Sequence, residues 1–140
     1  MNYIEMKTKA LSENELVIRT ALIAFLLPLN PTNDEMLELK TICSEAVVNV
    51  IVHAYPLEKG DVVVKLSYEN RRVEMTIEDF GIGILDLENK RNSFVTSKEQ
   101  DEHCGMGFTI METFSDDMTI TSKVNEGTKI TLVRYLHGIE

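Results

Sequence analysis

Glu45, Asn49 and His53 recur at every fourth position of a segment otherwise filled by Ala46, Val47, Val48, Val50, Ile51, Val52 and Ala54. At about 100° per residue a helix holds the three within a stripe of about 80°, on one face. Polar groups in so apolar a helix either face solvent or meet partners that repay a burial cost on the order of a few kcal/mol. A carboxylate one turn from an amide suits phosphoryl transfer. That chemistry asks for a base near an acceptor hydroxyl and for oxygen ligands to Mg²⁺.

Asp79 closes an alternating segment in phase with Val73, Met75 and Ile77, so its carboxylate points to the apolar side at the carboxyl end of a strand. Gly81 and Gly83 follow at once in Asp79-Phe80-Gly81-Ile82-Gly83. They free the backbone to turn tightly and admit a planar ligand, although an ordinary Asp/Gly turn reads the same way. Asp79-Phe80-Gly81 also spells the metal-binding motif of eukaryotic-type protein kinases, but the catalytic-loop and Gly-rich motifs are missing and the chain is too short. Gly105-Met106-Gly107 is expected to open a helix and offer its first N–H groups to phosphate. Neither a Walker P-loop nor a Rossmann fingerprint occurs, so a nucleotide would be held differently.

The elements that must carry these residues follow from periodicity. Asn2 to Ala10 alternates weakly and predicts an edge strand. Ser12 and Glu15 have capping-box spacing and predict a helix that Pro28 stops; Thr32 and Glu35 repeat the spacing and predict a longer helix to about Ala54, before Pro56. Val62 to Tyr68 and Val73 to Ile77 predict two strands joined by a tight turn. Leu85 to Cys104 has little periodicity and is read as a functional lid, after which a third helix starts at Gly105. Met118 to Thr121 and Lys129 to Leu132 predict a final hairpin around Asn125-Glu126-Gly127.

The 140 residues suit one domain, 1–140, and 14 Lys and Arg against 23 Asp and Glu leave a net charge of −9. Direct nucleic-acid binding is disfavoured by that sign, and an acidic surface suits protein partners. Cys43 and Cys104 lack the spacing of a disulfide framework or a zinc site, which points to the cytoplasm. The longest apolar run, Ala21 to Leu29, contains Pro28 and falls short of the roughly 20 residues of a membrane span. The N-terminus lacks the layout of a signal peptide, so no membrane association is expected.

In order, Glu45, Asn49 and His53, then Asp79, Gly81 and Gly83, then Gly105 and Gly107, then Gly127 and Thr128 resemble the N, G1 and G2 boxes and closing Gly-Thr of the GHKL ATPase superfamily. Ser44-Glu45-Ala46-Val47 and Gly105-Met106-Gly107-Phe108-Thr109-Ile110-Met111-Glu112 are similar to the small serine kinases that act as sporulation anti-sigma factors, and the likeness spans essentially the whole chain. The resemblance implies an α/β two-layer sandwich, the GHKL (Bergerat) fold, with a mixed, mainly antiparallel sheet and helices on one face. It implies a kinase that uses ATP and Mg²⁺ to phosphorylate a serine of an anti-anti-sigma protein, and that otherwise sequesters a sigma factor, as a homodimer.

Carried over by motif position, Glu45 is the general base, Asn49 the Mg²⁺ ligand and Asp79 the acceptor for the adenine amino group. Gly81 and Gly83 line the base pocket, and Gly105, Met106 and Gly107 form the phosphate loop. Thr128 supports adenine, His53 packs or touches phosphate, and Arg19 contacts a protein partner. One departure stands out: His103 occupies a position that is usually Arg, and Cys104 one that is usually Ser. A neutral imidazole does not replace a guanidinium, so either Lys98 supplies the cation or the kinase is slow. The alternative is a nucleotide-gated sigma-binding protein with little kinase activity. A detached histidine-kinase catalytic domain is disfavoured because no phospho-acceptor helix precedes the site.

Overall fold

The computed structural model describes residues 1–85 and 99–138, with the backbone alone for 99–106. Strand β1 (Asn2–Lys9) leads into helix α1 (Ser12–Leu26), a short 3-10 turn at Leu27–Leu29, and helix α2 (Asn33–Asn49), which continues as a π-helical turn over Val50–Ala54. Strands β2 (Asp61–Glu69) and β3 (Arg72–Asp79), helix α3 (Glu99–Phe114), and strands β4 (Asp117–Lys123) and β5 (Gly127–Tyr135) follow. The sheet order is β1-β2-β3-β5-β4.

Every pairing among the described residues is antiparallel, which corrects the expectation of a mixed sheet. β3 and β4 do run in the same direction, but β5 lies between them. The parallel crossover through α3 therefore creates no parallel ladder. Val62, Val64, Leu66, Val73, Met75, Ile77, Ile130 and Leu132 are buried on one face of the sheet, beneath Ile18 and Leu22 of α1, Ile42 and Val47 of α2, and Phe108 and Met111 of α3. The opposite face, with Glu5, Lys65, Glu74 and Lys129, borders an open groove. This is the inward-apolar, outward-polar alternation of a two-layer domain. Among the described residues no helix is long and apolar enough to cross a membrane.

The capping box at the start of α2 forms as its spacing predicts: Glu35 N–H donates to Thr32 Oγ1 at 3.0 Å and Thr32 N–H donates to Glu35 Oε1 at 2.9 Å. The one expected for α1 does not form. Leu11 is the N-cap, its carbonyl accepts from Asn14 N–H, and Ser12 is already helical. Glu15 is engaged elsewhere, by Ser44 Oγ at 2.6 Å and Arg19 at 3.4 Å.

Glu35 has a second task. Its carboxylate accepts from His137 N–H at 2.6 Å and Gly138 N–H at 3.0 Å, tying the end of the chain to the start of α2. Burial raises its pKa, but the hydrogen bonds from the His137, Thr32 and Gly138 backbones outweigh that and hold the carboxyl below its usual value.

Candidate functional site

The π-helical turn after Asn49 changes the geometry of the polar stripe. Beyond Asn49 the backbone is no longer an α-helix, so the regular spacing of Glu45, Asn49 and His53 does not continue unbroken. His53 nevertheless reaches the same cleft as Asn49. That cleft has an enclosed volume of about 40 Å³. Its sheet side is formed by Ile77, Asp79, Thr128 and Ile130, its helical side by Ala46, Asn49, Val50, His53 and Ala54, and its remaining wall by Gly83, Ile84 and Phe108. An apolar cleft with a few convergent polar groups is the usual form of a small-molecule site.

Asp79 ends β3 only 6% exposed, paired across the sheet with Thr128. Its Oδ1 accepts from Gly81 N–H at 3.0 Å. Burial pushes the Asp79 carboxyl above its usual value, against the opposing pull of its bonds to the Gly81 and Thr128 backbones. Gly81 is required by close approach, because a methyl there would overlap the Ala54 carbonyl, which accepts from Ile82 N–H at 2.9 Å. Gly83 adopts φ +74°, a conformation L side chains disfavour. Both glycines thus serve close backbone packing, and of the two only Gly83 is among the residues lining the cleft.

Beside the cleft, against Asn49 and against Glu45, which is not among the residues lining the cleft, α3 crosses α2 through Gly107. A Cβ there would stand 3.1 Å from Glu45 Oε2 and 3.4 Å from Asn49 Nδ2. Asn49 is 8% exposed, and among the described residues neither its Oδ1 nor its Nδ2 has a hydrogen-bond partner. Burial without partners is costly, so this amide fits a ligand that supplies what the protein does not. Mg²⁺ suits it, since that ion takes one or two protein oxygens and completes its shell with phosphates and water. Among the described residues no cluster of three His, Cys, Asp or Glu side chains is arranged to hold a metal.

Two expectations change. Gly105 and Gly107 do not open a helix: α3 begins at Glu99, so they lie inside it, at its seventh and ninth positions. Glu99 to Cys104 contains no Pro or Gly to forbid helix, and the expected lid thus ends sooner than Cys104. The side chains of His103 and Met106 and all of Lys98 lie outside the described residues. Arg19 sits on α1, outside the cleft lining, partly exposed and ion-paired with Glu15.

Ser122 was not anticipated. Its Oγ accepts from Ile84 N–H at 2.7 Å and shares a 2.8 Å hydrogen bond with Thr128 Oγ1, so it orients the Thr128 hydroxyl at the cleft. Its position two residues after the inward Ile120 was the available signal. Cys43 is buried and its thiol is pushed up to about 12 by that burial, which makes it inert packing.

The histidine kinase-like ATPase domain family matches residues 9–134 of this chain. The anti-sigma F factors of Bacillus subtilis (strain 168) and Anoxybacillus flavithermus are each 44% identical to it over 136 residues, covering 96% of this chain and 93% of theirs. The chain belongs to the histidine kinase-like ATPase family, in its anti-sigma F factor branch. Among solved structures, the RsbU and RsbW domains of a Mycobacterium tuberculosis protein superpose with TM-score 0.69 at 17% identity, covering 97% of this chain and 33% of that one. The histidine kinase domain of a blue-light activated kinase from Erythrobacter litoralis gives TM-score 0.53 at 20% identity, covering 73% and 45%. At such identities the likeness is one of fold.

Proposed function

We propose that this chain binds Mg-ATP in the cleft, transfers the terminal phosphoryl group to a serine of an anti-anti-sigma protein, and binds and inhibits a sporulation sigma factor. The observation that carries the proposal is the pairing in one cleft of a buried Asn49 amide, without a partner among the described residues, with a buried Asp79 carboxylate. The 44% identical relatives, both anti-sigma F factors, supply the sigma-factor role.

In this reading Asp79 accepts a hydrogen bond from the adenine amino group, with Gly81 and Gly83 letting the turn pack against the Ala54 and Lys123 backbones and the Ser122–Thr128 pair beside it. Asn49 Oδ1 holds Mg²⁺, which neutralises phosphate charge when bound. Glu45 takes the seryl proton as the serine oxygen bonds to the terminal phosphorus and the bond to the ADP oxygen breaks. His53 packs beside the phosphates, while Gly105, Met106 and Gly107 border them from α3 and His103 or Lys98 offers the cation at the terminal phosphate. Arg19 meets a protein partner, and the protein works as a cytoplasmic homodimer.

The test is incubation with labelled ATP and the anti-anti-sigma protein. Label on a partner serine is the expected result, and His103→Arg is expected to raise its rate near neutral pH, where an ordinary imidazole is mostly neutral. His103 also favours a second reading, a nucleotide-gated sigma-binding protein with slow transfer. Nucleotide-dependent sigma binding without label transfer, in both the parent and His103→Arg, would select that second reading.

A further inference from the structure

We propose that Tyr55 is a positioning residue of the nucleotide site, whose hydroxyl fixes the turn that presents Asp79 and so sets affinity for the base rather than for the phosphates. This inference rests on reading Asp79 as the acceptor for adenine.

Tyr55 leaves the π-helical turn with its ring packed against the core. Its hydroxyl donates to the Asp61 carbonyl at 2.6 Å and accepts from Phe80 N–H at 2.8 Å. Asp61 opens β2 and Phe80 follows β3, just beyond the Val62–Asp79 pair where the ladder between the two strands ends. One phenol thus bridges the open end of the hairpin beside the Asp79 carboxylate.

The turn holds three successive amides by three separate acceptors. Phe80 N–H goes to the Tyr55 hydroxyl, Gly81 N–H to Asp79 Oδ1, and Ile82 N–H to the Ala54 carbonyl. The first and third acceptors come from neighbouring residues at the end of the same helical turn, so the Asp79 loop hangs on Ala54 and Tyr55. That turn is itself pinned by Lys59 Nζ, which donates to the Ile51 carbonyl at 2.7 Å. Gly60 closes over the ring: a Cβ there would stand 2.6 Å from Tyr55 Cζ and 3.0 Å from its hydroxyl oxygen, displacing the phenol from its acceptor and donor.

Removing the hydroxyl leaves the ring in the core and releases one amide of the turn. The displacement falls on Asp79, whereas Glu45, outside the cleft lining, and Asn49 lie against Gly107 of α3. The consequence is selective for groups that reach the base.

Equilibrium binding of ADP, GDP and inorganic tripolyphosphate, each with Mg²⁺, to the parent protein and to Tyr55→Phe tests this. Tyr55→Phe is expected to weaken ADP binding about three- to tenfold, the worth of one neutral hydrogen bond, to narrow the preference for ADP over GDP, and to leave tripolyphosphate binding unchanged. Gly60→Ala, which keeps the hydroxyl but moves the ring, is expected to act in the same direction. Unchanged ADP affinity and preference in Tyr55→Phe, or equal losses for ADP and tripolyphosphate, would overturn the role. Hydrogen exchange in the unaltered protein reads the same bond without any variant: Phe80 N–H is expected to be protected, and exchange at the rate of an exposed amide would overturn the role. A parent protein with no preference for ADP over GDP would instead overturn the reading of Asp79.

Discussion

Gly107 on α3 faces the Glu45 carboxylate on α2 so closely that a single methyl would sit 3.1 Å from Oε2. The absent side chain lets the two helices cross directly against that carboxylate. Gly107→Ala is expected to lower the phosphorylation rate, and Glu45→Gln to lower it by roughly 10² to 10⁴-fold with nucleotide affinity retained. Single-turnover rates at saturating ATP, set beside equilibrium ADP binding, check both. Full turnover in Glu45→Gln would remove it from the mechanism.

Asn49 should show opposite effects on stability and on function. Among the described residues its two buried polar atoms have no partner, a state that costs on the order of 1–3 kcal/mol for each atom. Asn49→Ala is thus expected to leave the nucleotide-free melting temperature unchanged or higher, while abolishing most of the added stability that Mg-ATP confers. Calorimetric melts with and without Mg-ATP measure the two together. A lower melting temperature without nucleotide and an undiminished Mg-ATP shift would contradict the assignment.

Burial raises the Asp79 pKa, so protonation in the native state begins at a higher pH than for an ordinary aspartate. A group raised on folding favours the fold below its unfolded pKa, and that contribution is lost as pH rises through the native value. Asp79→Asn should therefore gain stability relative to the parent as pH climbs from acid toward neutral. ATP affinity should run the other way in the parent, falling as pH drops through the native pKa, because the protonated carboxyl is a poorer acceptor for the amino group. Binding isotherms across acidic pH test this, and a parallel fall in Asp79→Asn would place the titrating group elsewhere.

Glu35 has the opposite sign. Its pKa is lowered from 4.5, so it contributes stability above that value and loses it as pH falls through the lower native pKa. Glu35→Gln is expected to cost about 2 kcal/mol at neutral pH, the scale of hydrogen bonds to a charged group, by loosening Thr32, His137 and Gly138. The difference from the parent should close in strong acid. Urea melts at neutral pH and below pH 4 make the comparison, and a gap independent of pH would assign the effect to packing.

Local patterns made much of this protein legible in advance. Alternation placed β2, β3 and β5 and turned Asp79 inward, because a strand has a period of two and one face must be buried. Capping chemistry placed the start of α2 at Thr32, because that box closes within four residues and needs nothing distant. The ordered set of Glu45, Asn49, Asp79 and the glycines identified the family, since a site assembled from short segments keeps its residue types in sequence order.

Tertiary contacts decided the rest. Ser12 lost its capping box because Leu11 already capped the helix and Glu15 was drawn to Ser44 and Arg19. α3 runs through Gly105 and Gly107 because, with no proline to stop it, the helix extends upstream, and Gly107 serves the crossing with α2 instead. No parallel pair formed because β5 came to lie between β3 and β4. The π-helical turn and the Tyr55 bridge depend on groups brought together across the fold: Tyr55 reaches Phe80, 25 positions along the chain. Sequence alone determined which residues had chemistry to offer and which faces were apolar, because propensity and periodicity act over a few residues. Which of those residues meet, and which are left buried without a partner, was decided by packing between distant segments.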